Sequence, residues 1–307
     1  MIGLGTWGLS GESYGKLSVK LAKKIILNCI KKKINFIDTA TTYGNGRVES
    51  IIGNLVKKKT IKRRNIIICS KFGMLPHKGI KPIQNFNTDF LKKEVNKMLK
   101  RLCTNYLDVI LLHSPPREVL QDKKVFNFLN EIKKQKIVKN IGVSLKSPQD
   151  IFYIKSSYQV DYLEFNFNLM DQRILNLNFL NKVKKYKIKT ICRTPLAFGF
   201  LTNSGINIKK LQKGDHRLYW PKYQIDAWNI GRKLFFPFRD KYHFKDLSDL
   251  ALSFCLSHKF NYVIPGMYSL NDLNKNIKII NKKIKNKDLS EINEIYLKNQ
   301  NKFYIKK

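Results

Sequence analysis

Residues 36 to 46 read FIDTATTYGNG. A short apolar stretch ends on Asp38, and five residues later Tyr43 stands among threonines and glycines. Further on, Lys71 follows IIICS and His113 follows YLDVILL. Each of these strand-end residues comes where a buried strand would leave a core, and together they suit one task. An ammonium beside a carboxylate stays charged, and an ammonium near a phenol favours the phenolate and lowers its pKa. A phenol so tuned protonates a carbonyl oxygen near neutral pH. An imidazole can hydrogen-bond and orient the same oxygen. No side chain delivers hydride, so the set implies a nicotinamide cofactor.

The elements that must position these groups follow from the pattern of apolar residues. Strand-like runs fall at 2–6, 36–38, 66–70, 106–112, 140–144, 162–165, 188–193 and 262–264. Helical spacing marks 17–32, 48–58, a segment capped by Thr88 with Leu91, Val95, Met98, Leu99 and Leu102 on one face, and 125–134. It marks 148–156, 175–186, 246–258, 269–280 and 290–297 in the second half. Ser18 and Asp246 are candidate N-caps, and Asp288-x-x-Glu291 announces the last helix. A long irregular stretch covers 196–245. Short apolar strands without alternation are buried on both faces, as in parallel sheets. Eight such strands, each followed by a helix, in 307 residues predict an α/β chain folded as a (β/α)8 TIM barrel. The expectation is a single domain over 1–307, with a long loop after strand 7 and extra C-terminal helices. A doubly wound sheet would show a GxGxxG turn opening a helix after its first strand; GLGTWGLSGES has no helix start at that place. In a barrel the active site forms at the C-terminal strand ends. Asp38, Lys71, His113, Ser144, Glu164 or Asn166, and Arg193 then converge on one mouth, with Tyr43 hanging over Asp38.

Bulk composition narrows the rest. The formal net charge is +37, but the lysines are spread along the whole chain and Asn and Ile are over-used with them. That spread is read as compositional drift, with no specific nucleic-acid partner expected, since RNP-like motifs, zinc fingers and a dedicated basic tail are absent. No apolar run approaches the roughly 20 residues of a membrane span, and the start lacks a signal-peptide layout, so the expected location is cytoplasmic. The five cysteines stand among Ile, Leu or Phe without a CxxC pair, which predicts reduced, buried thiols. One strand-end histidine is too few for a hydrolytic metal site. His77, His216, His243 and His258 are read as surface or structural. The segment KGDHRLYWP at 213–221 is a candidate substrate lid, with Trp220 and Trp7 lining the pocket.

The ordered strings carry a resemblance over nearly the whole chain. GLGTW at 3–7, DTATTYGNGRVE at 38–49, SKFG at 70–73, LLHSP at 111–115, IGVS at 141–144, TPLAFGFLT at 194–202 and VIPGM at 263–267 resemble the segments of the aldo/keto reductase family, in family order. The resemblance implies a catalytic tetrad of Asp38, Tyr43, Lys71 and His113, with Tyr43 as general acid/base, Lys71 lowering its pKa, Asp38 holding Lys71 and His113 orienting the carbonyl. It implies that Ser144 and Glu164 meet the nicotinamide carboxamide, that Arg193 flanks the ring, and that Leu196, Gly199, Gly266 and Met267 approach the pyrophosphate through backbone groups. Asn276 falls where the family contacts the adenine; Thr6, Trp7, Thr194, Pro195 and Asp272 complete the implied cofactor set. The implied cofactor is NADP(H) ahead of NAD(H), and the implied partner a small-molecule carbonyl, on a monomer or weak homo-oligomer. The implied activity is reversible reduction of an aldehyde, ketone or keto-sugar; a nicotinamide-binding regulatory subunit with little turnover is the rival. Several positions depart from the family pattern. Glu164 stands where glutamine is usual, Ser204 replaces a lysine, and Lys275 a glutamate. Tyr268 and Asp272 stand where relatives often carry arginine or glutamine near the adenosine phosphate. Relatives place a β-hairpin under the barrel before the first strand; none is read here, so the bottom must be plugged otherwise or stability is lower.

Overall fold

In the computed structural model, described over residues 1–76 and 82–303, eight strands form one parallel sheet in sequence order. They are β1 (Leu4–Gly5), β2 (Phe36–Asp38), β3 (Ile67–Phe72), β4 (Leu107–His113), β5 (Val138–Ser144), β6 (Tyr162–Asn166), β7 (Lys189–Arg193) and β8 (Tyr262–Ile264). Parallel bridges Ile2 to Val263 and Gly5 to Gly266 bring the last strand back against the first. This is the expected (β/α)8 barrel. His77 lies outside the described residues.

Strand side chains point alternately to opposite faces, and that alternation separates two apolar populations. Phe36, Cys69, Val109, Leu111, Tyr162, Ile191, Tyr262 and Ile264 pack together inside the barrel. Ile37, Ile68, Ile110, Leu112, Val143 and Leu163 join the larger core between the strands and the surrounding helices. At the N-terminal ends of the strands, Phe36 and Tyr262 stack with centroids 3.8 Å apart, and Tyr162 lies in the same cluster. Aromatic side chains of the strands themselves thus fill the barrel bottom. Gly142 leaves room inside, since a Cβ there would lie 2.7 Å from Leu111 Cδ2 and 2.1 Å from the Tyr162 carbonyl oxygen.

Register then stacks the polar residues. His113 pairs with Ser144, and Ser144 with Glu164, on one rung of the sheet. Lys71 lies two residues beyond Cys69, so it shares the inward face, while Ser70 between them faces the helices. Ser18 caps Val19–Lys31 and Asp246 caps Leu247–Ser257, as their sequence positions suggest.

Other expectations need correction. Asn87, not Thr88, caps Thr88–Leu102, because its side chain accepts from the amides of Asp89 and Phe90. The helix expected at 148–156 is a 3-10 turn, Pro148–Tyr153, and that at 175–186 is split into Arg173–Asn176 and Phe179–Lys185. The stretch 196–245 contains the helices Lys222–Gly231 and Phe236–Lys241, whose scattered aromatics obscure the helical period. The last helix runs from Asn286 to Phe303. Asp288 lies inside it and accepts from Lys241 Nζ and Tyr242 Oη at 2.6 Å each, a tertiary partnership rather than a cap. Among the cysteines, Cys103 is exposed at a left-handed helix end. The antiparallel pair Met74–Leu75 and Ile83–Gln84 carries no apolar alternation long enough to read.

Candidate active site

The strand ends converge as their alternation requires. Lys71, fully buried, places Nζ 2.5 Å from Asp38 Oδ1, 3.1 Å from the Thr39 carbonyl oxygen and 3.5 Å from Tyr43 Oη. The turn after β2 brings Tyr43 back over the mouth. Its ring stands edge-on to His113 at a centroid distance of 6.2 Å. Glu164 adds a second carboxylate: Oε2 is 3.3 Å from Lys71 Nζ, and Oε1 accepts from Ser144 Oγ at 2.8 Å. Arg193 Nε approaches Oε1 at 3.6 Å while Nη2 donates to the Leu145 carbonyl oxygen. Asn166, the other candidate on β6, turns away and accepts from Thr194 Oγ1.

The electrostatics differ from the expectation at one point. Burial pushes the Tyr43 phenol above its ordinary pKa; Lys71 pulls downward but does not offset the burial, and Asp38 and Glu164 add to the rise. Burial and the charge of Glu164 push the Asp38 carboxyl above its ordinary range, against the pull of Lys71. For Lys71 burial acts downward, yet Asp38 and Glu164 outweigh it and hold the ammonium well above its usual range. The expectation that Lys71 leaves Tyr43 with a lowered pKa is therefore corrected: the direction of the Lys71 contribution is right, and burial is larger.

The residues expected to meet a dinucleotide lie on adjoining loops. Thr6, fully buried, donates from Oγ1 to the Asp38 carbonyl oxygen. Trp7 packs edge-on against Phe198 of the β7 loop. In that loop Pro195 is buried, and Thr194, Ala197 and Phe198 have φ of 57°, 44° and 56° beside Gly199 at 90°, a run of left-handed backbone that stores strain. The Ala197 and Gly199 amides are spent inside the turn, on Thr194 and Leu196. Gly266 faces Tyr268, whose ring occupies the space a Cβ on Gly8 would need. Met267 is buried as a whole, its sulfur 3.8 Å from Cys29 Sγ. Ser269 caps the helix Leu270–Ile279, and Asp272, its capping-box partner in the first turn, accepts from the amides of Tyr268 and Ser269 at 2.9 Å each. The segment 213–221 crosses to the β1 loop, where the His216 amide donates to the Ser13 carbonyl oxygen and the His216 ring packs on Trp7 at 4.5 Å. Trp220 instead packs among Phe198, Phe200 and Trp228.

Two buried polar atoms test whether a nicotinamide dinucleotide fits. Glu164 Oε2 has the ion pair with Lys71 at 3.3 Å but no hydrogen bond, and Asn276 Nδ2 makes no hydrogen bond. One is an acceptor suited to a carboxamide NH2, the other a donor suited to an adenine nitrogen. The donor set fits such a cofactor.

Supporting residues escaped the sequence. Glu49, fully buried, accepts from Ser70 Oγ and Arg101 Nε at 2.6 Å each and so braces β3 from behind Lys71. Glu49 closes the segment DTATTYGNGRVE and is an acid on the apolar face shared with Ile52, which was the available signal. Gln84 Nε2 donates to the His113 and Ser114 carbonyl oxygens and braces the end of β4; no sequence signal marks it.

The family and the fold are shown by comparison with known proteins. Residues 1–297 match the model of the aldo/keto reductase family. The chain is 28% identical over 223 residues to aldo-keto reductase YhdN of Bacillus subtilis, covering 73% of this chain and 66% of that protein. It is 26% identical to the NADH-specific methylglyoxal reductase of Escherichia coli over 66% of this chain and 65% of that one. The chain thus spans just under two thirds of the length of these curated relatives. Its fold is similar to that of aldo-keto reductase AKR11C1 from Bacillus halodurans, with a TM-score of 0.76 at 21% identity, over 96% of this chain and 91% of that one.

Proposed function

We propose, for a chain that belongs to the aldo/keto reductase family, the reversible reduction of an aldehyde, ketone or keto-sugar at the mouth built by Asp38, Tyr43, Lys71 and His113. The observation that carries this reading is the placement of Lys71 Nζ between Asp38 Oδ1 and Tyr43 Oη. When bound, the nicotinamide supplies the hydride. Tyr43 gives its phenolic proton to the carbonyl oxygen and returns to the phenol from solvent. Lys71 stabilises the phenolate formed in that step, and Asp38 holds the ammonium in place. His113 orients the carbonyl. Ser144 and Glu164 meet the carboxamide, Arg193 flanks the ring, and Asn276 meets the adenine. The loops carrying Thr6, Trp7, Thr194 to Gly199, and Gly266 to Met267 hold the remainder of the dinucleotide.

NADP(H) ahead of NAD(H) is the preference proposed from charge, since a chain of net charge +37 attracts the more anionic cofactor. Asp272 opposes it locally and keeps the preference small. The whole chain acts as one unit, working as a monomer or weak homo-oligomer in the cytoplasm. Its free cysteines suit a reducing compartment, and no helix among the described residues is long and apolar enough to cross a membrane.

A regulatory subunit that binds the nicotinamide with little turnover is the second reading, favoured by the departures from the family's cofactor-binding pattern at Glu164, Ser204, Tyr268 and Asp272. The test is oxidation of NADPH and NADH with a panel of aldehydes and diketones. Turnover that disappears in Tyr43→Phe supports the enzyme; tight cofactor binding without turnover on the panel supports the regulatory subunit.

A further inference from the structure

Glu164 stands where the family pattern has a neutral amide, and its surroundings give that departure a consequence. Its carboxylate is 1% exposed. Asp38 on β2, Cys69 and Lys71 on β3, Ser144 on β5 and Arg193 on β7 face it, with Tyr43 and His113 across the mouth. Asp38, Cys69 and Glu164 each present an atom within 4.8 Å of the others. Lys71 is therefore shared between two carboxylates, at 2.5 and 3.3 Å, and its 3.5 Å approach to Tyr43 is the longest of the three.

We propose that Glu164 is a positioning residue for the Tyr43–Lys71 pair: its carboxylate draws the Lys71 ammonium toward itself and Asp38, and holds Tyr43 in the protonated form that donates to a carbonyl. This rests on the reading of Tyr43 as the proton donor. A second negative charge beside the ammonium cancels part of the field that would stabilise a phenolate. Reduction consumes the phenolic proton as hydride adds to the carbonyl carbon; alcohol oxidation needs the phenolate to take that proton back. The overall equilibrium is untouched. What moves is the pH range in which each direction runs: reduction extends to higher pH, and oxidation is delayed until Tyr43 ionises.

The experiment is a pH titration of cofactor-free protein labelled with carbon-13 at the tyrosine ring carbon bearing oxygen, followed by NMR. The Tyr43 signal is assigned by its loss in Tyr43→Phe. In Glu164→Gln, which keeps an acceptor for Ser144, Tyr43 begins to ionise about one pH unit or more below wild type. The alkaline limb of carbonyl reduction moves down with it. Glu164→Asp, which withdraws the charge without removing it, moves both by less; a merely structural role would be damaged as much by either change. Onset of Tyr43 ionisation in folded Glu164→Gln no earlier than in wild type overturns the proposal. Should that variant not fold, an unmoved onset in Glu164→Asp does the same. If the titration shifts but no carbonyl on the panel is reduced by wild type, the electrostatic assignment stands and the enzymatic reading falls.

Discussion

The Lys71 ammonium lies 2.5 Å from the Asp38 carboxylate, with neither side chain more than 4% exposed. Such a pair is costly to bury, and removing one partner costs roughly 3–5 kcal/mol because the other charge is left unpaired. Lys71→Met is therefore expected to lower unfolding stability by about that amount in urea titrations. Adding Asp38→Asn to it is expected to recover part of the loss. A Lys71→Met protein as stable as wild type would show that the pair is not buried in solution.

Tyr43→Phe keeps the ring that faces His113 and removes the proton. Carbonyl reduction is expected to fall by about 10²–10⁴-fold, while nicotinamide binding, read by fluorescence quenching, stays within about twofold. Equal activity in the variant would remove Tyr43 from the chemistry.

His258 is packed among Phe167, Phe254 and Phe260. Burial lowers its pKa from 6.5 to about 4. A folded-state pKa below the unfolded value means that the neutral ring contributes stability above pH 6.5, and that this is lost as pH falls toward 4. Between pH 7 and pH 5 the loss is on the order of 2 kcal/mol. His258→Leu is expected to flatten that part of the stability profile, measured as urea midpoints at the two pH values. A profile unchanged by the substitution would contradict the assignment.

Asp272 occupies the amides of Tyr268 and Ser269 at a helix N-terminus, donors that an added adenosine phosphate would seek. Asp272→Asn keeps an acceptor for the cap and removes the charge. Binding of NADPH is expected to tighten about two- to five-fold relative to NADH, the ~0.3–1 kcal/mol scale of a charge at a helix terminus. Side-by-side titration of both cofactors checks it; an unchanged ratio would place the selectivity elsewhere.

Much of this was legible because strand ends in a parallel barrel are marked by apolar runs that stop on a polar residue. Asp38, Lys71, His113, Ser144, Glu164 and Arg193 were each found that way. The helices of 196–245 were not, because Trp228 packs on Phe200 and Trp220 of the preceding loop while Tyr223 is exposed, so no periodic apolar face marks the segment.

Local pattern alone determined the order of strands and the set of polar residues that leave the core together, since alternation and burial act within a few residues of each position. Three-dimensional packing decided the rest. It gave Lys71 a second carboxylate, placed Glu49 behind β3 and spent Asp272 on its own helix. It also made burial outweigh the ammonium at Tyr43. Distances between charges and the loss of water around them depend on segments far apart in the chain, and no spacing along one segment encodes them.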